Sequence, residues 1–180
     1  MNVPPIGLVT PDPNVSEWLV SGPYALKCLL GHAVQFVLED YADDTRKADY
    51  QSALQNLVHL NSAALTAVEL HVLQYCNEML DLYEASDRPD VEIEHPSDVW
   101  KYVQFGSELV VTRREEGDEE DGIYFSLGCS CDWAREHGLA LVLRDGLAFT
   151  KVGPYDGHVT NADAYANPLL KGVIFKSFRK

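Results

Sequence analysis

The period of the apolar positions changes along the chain, and those changes mark out its elements. Residues 18–20, 24–30 and 33–38 are short apolar runs separated by Ser21-Gly22-Pro23 and by Gly31-His32. Turn-forming residues between such runs predict a small antiparallel meander. Ahead of it, residues 1–16 hold four of the nine prolines and predict an extended arm lying on the surface. From residue 50 the period becomes helical. Tyr50, Ala53, Leu54, Leu57 and Val58 form a single apolar stripe, with Asp43, Asp44 or Thr45 as the N-cap. A second helical stretch carries Leu65, Val68, Val72, Tyr75, Cys76 and Met79 on one side. Leu70, Leu73 and Leu80 add apolar surface on the other, behind a cap at Asn61 or Ser62, so this helix is expected to be buried on more than one face.

Residues 86–96 form an acidic, proline-containing connector between layers. A short helix over 97–103, capped by Ser97, places Val99, Trp100 and Val103 together. Residues 109–112, 123–127, 139–144 and 147–152 then read as strands. Asp121-Gly122 and Asp145-Gly146 punctuate them, dipeptides that two-residue hairpin turns favour. Residues 173–175 are expected to add an edge strand and the basic tail 176–180 to fray. These elements predict an α+β fold, two helices packed on an antiparallel sheet, in one domain over 1–180. Within it the arm is 1–16, the meander and helices 17–85, and the mainly strand-forming part 97–176.

A chain of 180 residues buries roughly 70% of its unfolded surface and needs no staples. The four cysteines are scattered and demand no disulfides. Residues 1–13 lack a charged n-region and are broken by prolines, so no signal peptide is expected. No stretch reaches the roughly 18 apolar residues of a membrane span. The expected compartment is the cytoplasm. Twenty-eight acidic against 14 basic side chains leave a formal charge of −14, which repels nucleic acid and anionic membranes and attracts a basic protein, a metal ion or a cationic ligand. Much of that charge is concentrated. Glu84, Asp87, Asp90, Glu92 and Glu94 lie in or beside the connector, and Glu115, Glu116, Asp118, Glu119, Glu120 and Asp121 fill all but one position of a hairpin tip. Charge runs are ordinarily solvated loops. Six like charges at one tip nevertheless repel one another, and a cationic groove on a partner would relieve them.

Thiols, imidazoles, carboxylates and turn glycines crowd together between Cys129 and Tyr165. Cys129, Cys131, His137 and His158 supply the donor types of a zinc site, but a Cys-x-Cys pair on a strand more often places two small side chains toward a core. Cys131 with His137 or His158 and one of Asp132, Glu136 or Asp156 supplies a nucleophile, base and orienter for a thiol hydrolase. Asp132 with Glu136 and Asp156 with Asp163 are candidate acid–base pairs, of a kind that any chain this acidic offers in quantity. A calcium loop starting at Gly117 lacks both end ligands, since Gly128 stands twelfth. Glycine-rich phosphate loops, His-Glu-x-x-His and Gly-x-Ser-x-Gly are absent, and no cofactor is expected. Turn chemistry alone accounts for the residues of 152–158, with Trp133 and Tyr155 as core or loop anchors.

The motifs CDWxxEHGL (131–139), KVGPYDGH (151–158) and TNADAY (160–165), with Asp145-Gly146 and Leu38-Glu-Asp-Tyr41, resemble a bacterial family of unknown function. The resemblance covers most of the chain. It implies a compact α+β protein, similar to those encoded near toxin and secretion clusters, and it assigns no catalytic residues. Ala134-Arg135 stand where that pattern favours a more acidic pair, which counts against a cation there. Together with the charge, the resemblance leads to the expectation of an immunity protein, not an enzyme, that neutralises a cognate toxin by covering its basic active site. Residues 115–121 are the expected inserting element, with Asp90, Glu92 and Glu94 alongside. The alternative is a metal-binding protein or hydrolytic enzyme centred on Cys131, His137 and His158.

Overall fold

Eight strands lie in sequence order across one sheet in the computed structural model, which describes residues 1–114 and 121–179. They are β1 (Asn2–Val3), β2 (Gly7–Pro11), β3 (Leu19–Leu26), β4 (His32–Leu38), β5 (Val103–Arg114), β6 (Gly122–Cys131), β7 (Leu139–Arg144) and β8 (Ala148–Gly153). Neighbours pair antiparallel except β4 and β5, which are parallel. A parallel pair needs a long crossover. Residues 39–102 provide it, with α1 (Lys47–His59), α2 (Ala63–Thr66), α3 (Glu69–Leu80) and a 3-10 helix at Pro96–Tyr102. The class is therefore α+β, a mostly antiparallel sheet with a few helices, and the wholly antiparallel sheet expected from the sequence is corrected at one pair.

Period-two alternation sorts the sheet's side chains between two faces. Phe36 and Leu38 of β4, Leu109 and Val111 of β5, Ile123, Phe125 and Leu127 of β6, and Leu139, Leu141 and Leu143 of β7 enter the large core. Tyr50, Leu54 and Leu57 of α1 and Val72, Tyr75 and Cys76 of α3 join them there. The intervening Tyr124, Ala140 and Val142 point the other way and form a small second cluster with Val159. No helix among the described residues is long and apolar enough to cross a membrane.

Several expectations change. The stretch 1–16 joins the sheet as β1 and β2 and buries Val3, Ile6 and Val9; Pro4 and Pro5 lie in the turn between these strands, where no ladder donor is missed. Ser21-Gly22-Pro23 is a bulge within β3 and not a turn. The Ser21 hydroxyl takes the Phe36 amide proton at 2.9 Å, replacing a ladder bond. The second helix is divided by a turn at Ala67 and Val68 (φ −115°, ψ 0° at Val68) between α2 and α3. The 3-10 helix is capped at His95 and not Ser97, because Asp98 accepts from the His95 and Glu94 amides at 2.9 and 3.1 Å. Residues 173–175 are not a strand, although Ile174 O accepts from Val152 N at 2.8 Å. The basic tail, expected to fray, is laid on α3, where Ser177 and Phe178 bond to Glu78, while Lys180 lies outside the described residues.

A β-turn forms at Asp145-Gly146 as the sequence predicts, with positive φ at both residues, 53° and 67°, but Arg144 pairs with Ala148, so the loop holds three residues and Leu147 is added to the expected two. The turn also docks on α1, where Asn56 Nδ2 donates to Asp145 O at 3.0 Å. A Cβ on Gly146 would overlap Ala53 O and stand 2.6 Å from Leu57 N. At Gly157, also left-handed at φ +82°, a Cβ would meet nothing within 4 Å. Gly157→Ala should therefore cost about 1 kcal/mol of unfolding free energy, and Gly146→Ala about 3 kcal/mol, since backbone must shift as well. Urea titration of the two variants decides; equal losses would show that the turn is not pressed against the helix.

Candidate functional site

The residues from 129 to 165 are largely taken up in holding the chain together. Cys129 and Cys131 alternate on β6 with exposed Ser130 and point into the core. Their sulfurs face Leu127 O and Ala134 O, each at 4.0 Å. Burial pushes both thiols up to about 12, so they stay protonated at neutral pH and are poor nucleophiles. Cys28 and Cys76 are likewise buried and shifted up, to about 11 and 12. His137 is exposed beside Met79, Leu82 and Tyr83, and exposed His158 lies 3.2 Å from Asp163 through Nδ1. Among the described residues no three His, Cys, Asp or Glu side chains gather as a metal-binding group. The Cys129, Cys131, His137, His158 set is therefore not assembled.

Between β6 and β7 the chain turns around Trp133, which is fully buried. Its indole N–H has no acceptor among the described residues. Gly138 closes this turn at φ +61°, where a Cβ would lie 2.7 Å from Cys129 O. Tyr75 of α3 donates to Gly138 O at 2.9 Å and pins the turn to the helical layer.

Beyond β8 the carboxylates of the last two motifs are spent on neighbours. Lys151, 1% exposed, is one of the few buried polar residues. Its ammonium pairs with Asp156 and donates to His158 O at 3.3 Å. Asp156 also accepts from the His158 amide at 3.0 Å, closing the loop over the lysine. In α4 (Asn161–Ala164) the Thr160 hydroxyl caps the Asp163 amide at 3.1 Å. Asp163 pairs with Arg114 of β5, and Asn161 donates to the carbonyls of Val173 and Ile174, both at 2.9 Å.

The acidic segments have different surroundings. Glu115, Glu116, Asp118, Glu119 and Glu120 lie outside the described residues; Asp121 is described. Its carboxylate faces Arg46 at 3.3 Å and Arg113 at 3.9 Å. Arg113, nearly buried over the Tyr50 ring, donates to Asp44 at 2.6 Å and to Asp49 at 3.0 Å. Burial raises the Asp44 carboxyl, but the Arg113 hydrogen bond, the Arg46 amide and both guanidinium charges outweigh it and hold the group below its usual range. This network ties the acidic end of the β5–β6 hairpin to the start of α1. Asp90, Glu92 and Glu94 stand in solvent, while Val91 and Ile93 pack against the core. The Tyr102 hydroxyl accepts from Glu92 N at 3.1 Å and donates to Glu92 O at 3.2 Å.

Tyr102 precedes β5, whereas Arg114 ends it and pairs with Gly122. The ten residues of β6 span about 30 Å. Asp90–Glu94 and Asp121 thus lie toward opposite ends of one hairpin. Arg113 and Lys151 escaped the reading from sequence, which offered Asp44 only as an N-cap, a position that Arg46 takes. The only signal for Arg113 was two arginines directly before the acidic run, and for Lys151 its place in an otherwise core-directed strand.

Two consequences are measurable. Asp156→Ala leaves the buried Lys151 ammonium without a carboxylate and should cost about 3 kcal/mol or more at pH 7, while Lys151→Met with Asp156→Asn should recover most of that loss. A cost under about 1 kcal/mol for Asp156→Ala would mean that the pair does not close the loop. Asp44, depressed in the folded chain, contributes stability that is present above its unfolded pKa of about 4 and is lost as pH falls through the folded value. Urea unfolding at a series of pH values should accordingly show a shallower decline below pH 5 for Asp44→Asn than for the unsubstituted chain.

No curated protein and no solved structure matches the chain. A family model does, from residue 5 to residue 159, and is described as a domain of unknown function (DUF6985). That span takes in the sheet from β2 to β8, the helical crossover and two of the three motifs, and ends just before 160–165. The chain belongs to the DUF6985 family of domains of unknown function.

Proposed function

We propose that this chain acts by binding a basic partner protein through its acidic surface, as an immunity protein that covers the active site of a cognate toxin. The observation that carries the reading is the presentation of Asp90, Glu92 and Glu94. Val91 and Ile93 are anchored inward and Tyr102 holds the backbone of Glu92 from both sides, so three carboxylates face solvent from a backbone already in place. Ordering entropy is then spent in folding and not at the encounter. The surrounding field of a chain with charge −14 steers a cationic surface toward it. Several titratable groups of residues 129–165 add support by being occupied: Asp156 by Lys151, Asp163 by Arg114 and His158, and the Cys129 and Cys131 thiols by burial.

Toxins that act on nucleic acid or nucleotides need cationic sites, and acidic side chains can occupy such sites in place of phosphates. With Asp90–Glu94 and Asp121 toward opposite ends of the β5–β6 hairpin, the partner carries either one long basic surface or two separate basic patches. A secreted toxin encoded directly upstream is the partner to assay. Asp90→Lys, Glu92→Lys and Glu94→Lys together should slow association at least about tenfold at low salt, less at high salt, without moving the thermal midpoint. Unchanged association kinetics would remove the connector from the interface. Reversal of Glu115, Glu119 and Glu120 examines the other patch in the same assay. Stoichiometric zinc in the purified protein would instead favour the metal-dependent alternative.

A further inference from the structure

Residues 176–179 lie on α3 as a bound peptide would. Ser177 Oγ donates to Glu78 Oε1 at 2.7 Å and the Phe178 amide donates to Glu78 Oε2 at 2.7 Å. Gln74 adds a third donor at 3.1 Å, from within the helix. Arg179 pairs with Asp81, one residue past the end of α3. The Phe178 ring meets Tyr75 and Phe175 edge-on, with centroids 6.1 and 5.9 Å apart. Lys176 stands 5.9 Å from the Tyr165 ring centre.

Glu78 is unusual for its position. It is 5% exposed, on a helix that otherwise buries Val72, Tyr75, Cys76 and Leu80. Neither helix formation nor core packing calls for a carboxylate there, and burying one is unfavourable without donors. Two of its three donors come from a segment about a hundred residues away. The α3 surface is thus built to recognise a hydroxyl, an aromatic ring and a guanidinium on successive residues. Beside it a cavity of about 290 Å³ extends to Leu70 and Leu73 and is not filled by the segment.

The segment itself is held lightly. Phe178 remains 40% exposed. The Arg179–Asp81 pair is open to solvent, 62% and 52% exposed, and such pairs contribute little. A short stretch held by two hydrogen bonds to Glu78, one exposed bond to Asp81 and a half-exposed ring belongs to the low-stability end of a fold and opens locally.

We propose that the Glu78–Asp81 face of α3 is an interaction site for a basic, aromatic-containing segment of a partner protein, kept closed in the free chain by residues 176–179. The partner segment carries hydroxyl, aromatic and Arg side chains in that order, with an apolar side chain beside them that enters the cavity at Leu70 and Leu73. Displacement exchanges like for like at Glu78, so the carboxylate is never left buried without donors. The partner's added contacts then decide the exchange. The site borders the connector, Asp81 also facing Arg88 at 4.0 Å, and shares with the preceding reading only the basic character of the partner.

A fluorescent peptide Lys-Ser-Phe-Arg-Lys tests this against the full chain and against the full chain carrying Phe178→Gly and Arg179→Glu, which loosen its own segment. The variant should bind the peptide at least about tenfold more tightly than the unsubstituted chain, and Glu78→Gln added to it should weaken binding about tenfold or more. Equal affinity for the variant and the unsubstituted chain, or no loss with Glu78→Gln, overturns the proposal. Amide exchange in the unsubstituted chain provides a check that needs no variant. The Phe178 amide should exchange at least about a hundredfold faster than those of Tyr75 and Cys76; exchange at the same rate would mean that the segment leaves only when the whole fold opens, which also overturns it. Failure here, with association still slowed by the 90–94 reversals, would leave the binding reading intact.

Discussion

A buried charge must find its counter-charge or its hydrogen-bond donors inside the protein, and this requirement joins the outlying parts of the fold to its centre. Arg113 reaches from the end of β5 to Asp44 and Asp49 and so fixes the start of α1. Lys151 draws Asp156 over the end of β8 and shapes the loop that follows. Glu78 draws Ser177 and Phe178 onto α3. In each case the apolar core supplies the cohesion, while the ion or carboxylate determines where a peripheral segment lies. An acidic chain has few cations to use in this way, and both Arg113 and Lys151 are nearly inaccessible.

Local signals carried much of this architecture into the sequence. The alternation of Ile123, Phe125 and Leu127 and of Leu139, Leu141 and Leu143 records a sheet with one face on a core. The stripe from Tyr50 to Val58 records a helix lying across it, and Asp145-Gly146 records the hairpin turn. What was not legible depends on partners far away. Nothing within residues 32–38 states that they pair in parallel with residues more than 70 positions later. Ser21-Gly22-Pro23 looks like a turn because bulges and turns use the same residues. Glu78 reads as an exposed helix residue until Ser177 and Phe178 are placed beside it.

The site was less legible than the fold, for a related reason. Density of Cys, His and Asp is a property of the sequence, whereas a reactive centre is a property of distances. Folding sets His137 beside Met79, Leu82 and Tyr83 and assigns His158 to Asp163, so the same residue types that suggested chemistry serve as caps, pairs and core. The acidic side chains divide in the same way: Asp121 faces Arg46 and Arg113, whereas Asp90, Glu92 and Glu94 stand in solvent.

The single parallel seam divides the sheet into two antiparallel halves, β1–β4 and β5–β8, each of which pairs locally. Their junction at Gln35–Leu38 and Glu108–Val111 cannot close until the intervening crossover has been gathered in, an entropic toll that neither half bears alone. Assembly of this chain is therefore a matter of two early meanders meeting late, and the seam is where a nascent molecule leaves strand edges unsatisfied for longest.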